Sequence, residues 1–230
     1  MDLGELKRHW DGFAKTDPLW SILTVPGTEG RRWDAEKFYE TGRTEIHVDL
    51  HLLEEMGVTV RRTSALDFGC GVGRLTQGLR DYFDEATGVD ISPTMIQLAQ
   101  NRNRPERPCT FVHHDRSDLS CFADASFDFL VSLLVLQHIH PTYIETYVRE
   151  FLRVLRPSGV GLVQLPSGDF PGYSAPTLDA PKQFPIMEMH FVPRETFSRW
   201  VQESGGEVLS MLDDGSAPPF QGTRYVIRKI

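Results

Sequence analysis

The run Ala65-Leu66-Asp67-Phe68-Gly69-Cys70-Gly71-Val72-Gly73-Arg74-Leu75-Thr76 decides the fold: an apolar strand ends in a carboxylate, three alternate glycines follow, and a helix begins. Gly69 and Gly71 let the chain turn tightly and bring its backbone against a ligand with no Cβ between them, while Gly73 permits close packing of helix on strand. The free amides at the start of the helix predicted over 74–83 favour an anionic or polar group. A dinucleotide turn reads G-x-G-x-x-G, but counting from Gly69 puts Arg74 where the third glycine belongs. Asp67 would meet a pyrophosphate with a like charge and an ammonium with an opposite one. The turn therefore reads as a cradle for a zwitterionic nucleoside rather than a diphosphate.

Outward from the turn, strand patterns at 64–68, 85–89, 110–114, 127–133 and 159–164 alternate with helix patterns at 74–83, 92–101 and 143–155. Such alternation implies right-handed crossovers and a mainly parallel sheet. A helix at 193–204 and strands at 207–212 and 223–229 close the chain. The pattern D-x-G-x-G-x-G and the order of elements resemble the class I S-adenosylmethionine-dependent methyltransferases, over roughly 64–164 and more loosely beyond. That resemblance implies an α/β, Rossmann-like methyltransferase fold. It would have a mainly parallel seven-stranded sheet with an antiparallel C-terminal hairpin and helices on both faces. The implied cofactor is S-adenosyl-L-methionine, with S-adenosyl-L-homocysteine as product.

Beside Asp67, Gly69, Cys70, Gly71 and Gly73, further cofactor candidates follow. Asp90 ends the second strand 23 residues after Asp67, near the spacing at which α/β folds place a carboxylate on ribose hydroxyls. Its alternative role, a helix cap before Pro93, is better filled by Ser92. Ile91 can pack on the adenine face. By resemblance, Asp115 accepts from the adenine amino group, Arg116 offers its backbone amide, and Leu133 lines the cofactor side. Cys70 reads as a small residue tolerated beside the ligand rather than a nucleophile. His113 and His114 point to opposite faces of a strand, which opposes a shared metal.

The acceptor end is marked by what is missing. The loop after the fourth strand carries neither the N/D/S-P-P-aromatic motif of amino-directed nucleic-acid methyltransferases nor the cysteine of cytosine-C5 enzymes; Pro218-Pro219-Phe220 follows the wrong strand. No catechol-type metal carboxylate stands there, so no metal is expected. Small-molecule chemistry remains, in which alignment of the partners is worth about 7–11 kcal/mol and a positioned base about 10²- to 10⁴-fold. His138 and His140 are the candidate bases, and His190 is a third. The expected reaction is O-methylation of a sugar or natural-product intermediate. N-methylation and a protein or RNA acceptor are alternatives, as are a non-catalytic cofactor-binding subunit and an NAD-dependent oxidoreductase.

The 230 residues suit one α/β core with appendages, divided here as 1–57, an aromatic lid or arm with a leading helix, and 58–230, the cofactor domain with an acceptor loop at 166–190. Trp10, Phe13, Trp20, Ile22, Leu23 and Trp33, interrupted by Pro18, Pro26, Gly27 and Gly30, read as a segment without long regular structure. Asp34 caps a helix running to Met56, on which Tyr39 and Arg43 are candidates to reach a carboxylate of the cofactor. The acceptor loop carries Phe170, Tyr173 and Phe184 among its prolines. With 24 Lys and Arg against 32 Asp and Glu, the formal charge of −8 opposes a polynucleotide partner. No stretch approaches the roughly 20 apolar residues of a membrane span, and the odd cysteines Cys70, Cys109 and Cys121 suit a reducing compartment. A cytoplasmic protein acting on a small-molecule acceptor is expected, and oligomeric state is not encoded.

Overall fold

The strand patterns assemble into β1 (Ser64–Phe68), β2 (Glu85–Asp90), β3 (Thr110–His113), β4 (Phe127–Ser132), β5 (Leu155–Pro166), β6 (Gly206–Asp214) and β7 (Gly222–Lys229). The structure, a computed structural model, describes residues 1–168, 187–215 and 221–230. Among these residues the sheet has seven strands in the order β3-β2-β1-β4-β5-β7-β6. The first five run parallel, and β7 pairs antiparallel with both β5 and β6. Strand order reverses beside β1, which opens a crevice at the carboxyl ends of β1, β2 and β4.

Side chains alternate across the sheet with the strand period of two. Leu66, Leu130, Val163, Tyr225 and Ile227 pack on helix α6 (Pro141–Val154) and helix α7 (Arg194–Glu203) through Tyr147, Val148, Phe151 and Phe197. Ala65, Phe129, Val131, Leu162 and Val226 face the other way. They meet α3 (Ala35–Glu55), α4 (Arg74–Leu79) and α5 (Pro93–Asn101) through Ile46, Leu50, Leu75, Leu79 and Ile96. Both faces are thus covered, which is why the parallel strands read as continuous apolar runs. No helix among the described residues is long and apolar enough to cross a membrane.

Three differences from the sequence reading exceed two residues. The helix after the glycine turn stops at Leu79 rather than 83, where the Arg80 guanidinium donates to the Phe83 carbonyl at 2.9 Å and closes a turn. β5 starts at Leu155, directly after α6, and a register shift between Phe127 and Phe129 absorbs Ser158 at φ 65°. The largest difference is at the start of the chain, which forms the helices α1 (Leu3–Thr16) and α2 (Pro18–Ile22). Asp2 and Glu5 make a reciprocal capping box, with Glu5 N donating to Asp2 at 2.8 Å and Asp2 N to Glu5 at 3.0 Å. Pro18 stands in the first turn of α2, a position that needs no N–H.

Candidate active site

The glycine turn is held from three sides. Gly69, Gly71 and Gly73 have φ of 75°, 52° and 85°, in the left-handed region that side-chain-bearing residues avoid. A Cβ on Gly69 would stand 2.4 Å from Val135 Cγ1, and one on Gly71 would stand 2.6 Å from Ile22 Cδ1. The amides of Gly69 and Cys70 donate to the Val89 carbonyl at 2.8 and 3.1 Å. Asp90 then ties the turn to β2: one carboxylate oxygen accepts from Gly71 N and the other from Ser92 N, both at 2.8 Å. Each oxygen keeps a lone pair for a ligand hydroxyl.

Asp67 is 2% exposed and accepts a hydrogen bond from Thr76 Oγ1 at 2.6 Å. Burial pushes its carboxyl up to about 6, so an approaching ammonium would find a group poised to ionise. Burial also raises the Cys70 thiol well above its ordinary value, which makes it a poor nucleophile. A cavity of about 520 Å³ opens from this turn, within the usual range for small-molecule sites. Asp67, Gly69, Cys70, Gly71, Asp90, Ile91, Arg116 and Leu133 line it, and so does His138 at its other end.

Several candidates fall elsewhere. Asp115 is exposed and pairs with Lys7 of α1 at 2.8 Å, outside the cavity lining. Gly73 is also outside the lining; it starts α4, and a Cβ there would meet the Phe111 ring at 2.7 Å. The Tyr39 hydroxyl donates to the Val72 carbonyl at 2.9 Å and Arg43 pairs with Glu40, so both brace the turn or α3 rather than reach a ligand. His140 is exposed and caps α6, its Nδ1 accepting from Thr142 N at 3.3 Å. His190 stands 3.5 Å from Glu188 Oε2 and does not line the cavity. The rings Phe170, Tyr173 and Phe184 and the tail Pro218-Pro219-Phe220 lie outside the described residues, as does most of the 166–190 loop.

His138 is buried on a 3₁₀ turn (Leu136–His138) between β4 and α6. Its Nδ1 lies 2.7 Å from the Glu188 carbonyl, which only accepts, so the proton sits on Nδ1 and Nε2 carries the lone pair. Burial pulls its pKa down to about 4, below the range expected of a free imidazole, so the ring is neutral at physiological pH.

Helices α1 and α2 form the wall opposite the sheet. Trp10 meets the His138 ring edge-on at 5.4 Å, and Leu6, Trp10, Ile22 and Leu23 line the cavity. Lys7 on Asp115 and Asp11 on the Ser92 hydroxyl fasten the wall to β3 and α5. Gln137, Tyr147, Met187 and Met189 also line the cavity and were not singled out in the sequence. The capping box Asp2-x-x-Glu5, followed by Leu6, Trp10 and Ala14 at helical spacing, was the readable signal for α1.

Residues 66–163 match a family model described as a methyltransferase domain. The chain is 34% identical over 102 residues to a 2-methyl-6-phytyl-1,4-hydroquinone methyltransferase of Synechocystis, covering 44% of this chain and 31% of that protein. It is 30% identical over 165 residues to a demethylmenaquinone methyltransferase of Staphylococcus aureus, covering 66% and 64%. The chain therefore spans less than two thirds of the length of these relatives. Its fold matches the crystal structure of magnesium protoporphyrin IX methyltransferase from Synechocystis with bound S-adenosylhomocysteine, at a TM-score of 0.70 and 14% identity over 100% of both chains. The glycine turn, the sheet order and the matched segment agree: residues 66–163 carry the pattern of a methyltransferase domain, on the fold of the solved methyltransferase.

Proposed function

We propose that the chain is an enzyme that binds S-adenosyl-L-methionine and methylates a hydroxyl group of a small natural-product-type molecule. The observation that carries this reading is one cavity joining the Asp67–Asp90 turn to His138. The residues suit the cofactor: Asp67 offers a carboxylate to an ammonium, Asp90 offers two oxygens to ribose hydroxyls, and the glycine turn packs so closely that a Cβ would strike Val135 or Ile22. When bound, the cofactor supplies a methyl group already activated on a sulfonium. The chain's own task is alignment, exclusion of water and acceptance of one proton.

His138 is the group that takes that proton, through Nε2. His140 has no such part, because it caps α6 on the outside. Leu6, Trp10, Ile139, Met187 and Met189 give the acceptor end an apolar lining, which supports a flat, apolar acceptor over a sugar. The names of the two relatives, a hydroquinone and a demethylmenaquinone methyltransferase, point the same way. The formal charge of −8 speaks against a polynucleotide acceptor. α1 and α2 act as a lid that ligands must displace.

Calorimetric titration with S-adenosylmethionine, S-adenosylhomocysteine and NAD tests the reading. Micromolar binding of the first two and none of NAD is expected. Failure of both to bind would overturn it.

A further inference from the structure

At the carboxyl ends of β4 and β5 a buried chain of hydrogen bonds runs between two backbone groups. Leu134 N donates to Gln164 Oε1 at 2.9 Å, and Gln164 Nε2 donates to Gln137 Oε1 at 3.4 Å. Gln137 Nε2 meets His138 Nε2 at 3.2 Å, and His138 Nδ1 meets the Glu188 carbonyl at 2.7 Å. The two ends fix the direction of everything between them, since a backbone N–H only donates and a carbonyl only accepts. Neither glutamine can flip without setting donor against donor or acceptor against acceptor. Gln164 is 0% exposed, Gln137 and His138 each 5%, so a mismatched group would be left buried and unpaired, at a cost of about 1–3 kcal/mol.

Gln137 and His138 both line the cavity, while Gln164 stands behind them. A group entering at their contact would have to donate to the Nε2 lone pair and accept the N–H that Gln137 gives up. One neutral hydroxyl does both. An ether lacks the donor, an ionised oxygen lacks it too, and an ammonium lacks the acceptor. Trp10, Ile139, Met187 and Met189 surround the position with apolar surface.

We propose that Gln137 and His138 form a two-point station that selects a protonated hydroxyl on a flat apolar acceptor. Gln164 is the positioning residue that sets its polarity. The inference rests on the cavity being the methyl-acceptor site. A bound sulfonium donor would supply the methyl group, its C–S bond breaking as the O–CH₃ bond forms, and Nε2 would hold the proton and the positive charge released from the hydroxyl. The product ether no longer donates to Nε2, so the station that captured the substrate releases the product. Burial, which disfavours the charged ring, returns the proton to solvent.

Binding of simple probes tests this without turnover. The full chain, with and without S-adenosylhomocysteine, is titrated calorimetrically with 2-naphthol and with 2-methoxynaphthalene. At least tenfold tighter binding of the naphthol is expected. Gln137→Leu should bring the ratio near one while leaving affinity for S-adenosylhomocysteine unchanged. Gln164→Glu should lose the preference near neutral pH, where the naphthol is still protonated and the unsubstituted chain keeps it, and regain it as pH falls, because a protonated carboxyl offers the same donor and acceptor as the amide. A merely structural role for Gln164 would not produce that reversal. Equal binding of the two probes, binding of neither, or a preference that survives Gln137→Leu would overturn the station. Failure of S-adenosylhomocysteine to bind would instead overturn the cofactor reading.

Discussion

Thr76 reaches Asp67 across nine positions of the chain and Ser92 reaches Asp90 across two, whereas at the other end of the same cavity His138 meets Glu188 across 50. The cofactor end is local chemistry: a strand, a turn, a helix start and the next strand beside it. The acceptor end is assembled from α1, the β4–α6 connection, β5 and the segment around Glu188. Local contacts cost little closure entropy and leave a mark in the sequence; distant ones become defined only when the whole chain has packed. The two ends should therefore respond differently to substitution.

The largest effect is expected at the turn. Asp90→Ala removes the acceptor of two backbone amides as well as the proposed ribose partner, and charge-assisted bonds of this kind are worth about 1.5–3 kcal/mol. Cofactor affinity should fall by about 100-fold in a calorimetric titration. Unchanged affinity would show that the turn is not the cofactor site.

At the other end, His138→Ala should lower turnover by about 10²- to 10⁴-fold with cofactor affinity intact. His140→Ala should cost about 0.5–2 kcal/mol of stability through loss of the α6 cap and leave the chemical step unchanged. Comparable losses of turnover in both variants would erase the distinction between the histidines.

The third effect is a pH dependence. Burial raises Asp67 from 3.8 to about 6, so in the free protein it takes up a proton as pH falls through 6. A ligand ammonium needs the carboxylate, so cofactor affinity should decline below about pH 6, by at most about tenfold per pH unit. Stability of the free protein has the opposite sign at this group. The buried acid contributes fully below 3.8 and its contribution is lost as pH rises through about 6. Thermal unfolding with and without S-adenosylhomocysteine across this range would separate the two trends. Affinity independent of pH in that window would remove the ammonium from Asp67.

The smallest effect belongs to the lid. The Lys7–Asp115 pair is solvent-exposed, and such pairs are worth about 0.2–1 kcal/mol. Lys7→Ala should speed cofactor release by less than about fivefold in stopped-flow measurements, with no change in the fold. Slower release would mean that α1 does not cover the site.

Much of the framework was legible. The strand from Ser64, the turn and the carboxylate of Asp90 follow from periodicity and turn chemistry, and the antiparallel pairing of the tail from the family resemblance. α1 was hidden because its aromatic residues and the nearby prolines and glycines suggested irregular chain, although Asp2 and Glu5 carried a capping box. Asp115 shows the converse. Its position matched a family pattern, yet in the structure it pairs with Lys7, 108 residues away, outside the cavity lining.

The sequence by itself determined the alternation of strands and helices and the glycine turn, because hydrophobic period, helical spacing and the need for positive φ act over a few residues. Tertiary structure decided which histidine lines the cavity. His138 and His140 are two residues apart and chemically alike. A 3₁₀ turn buries the first under Trp10 while the second caps a helix in solvent. It also decided the direction of the Gln164–Gln137–His138 chain, because that direction is set by two backbone groups, at Leu134 and Glu188, that come together only in the folded protein.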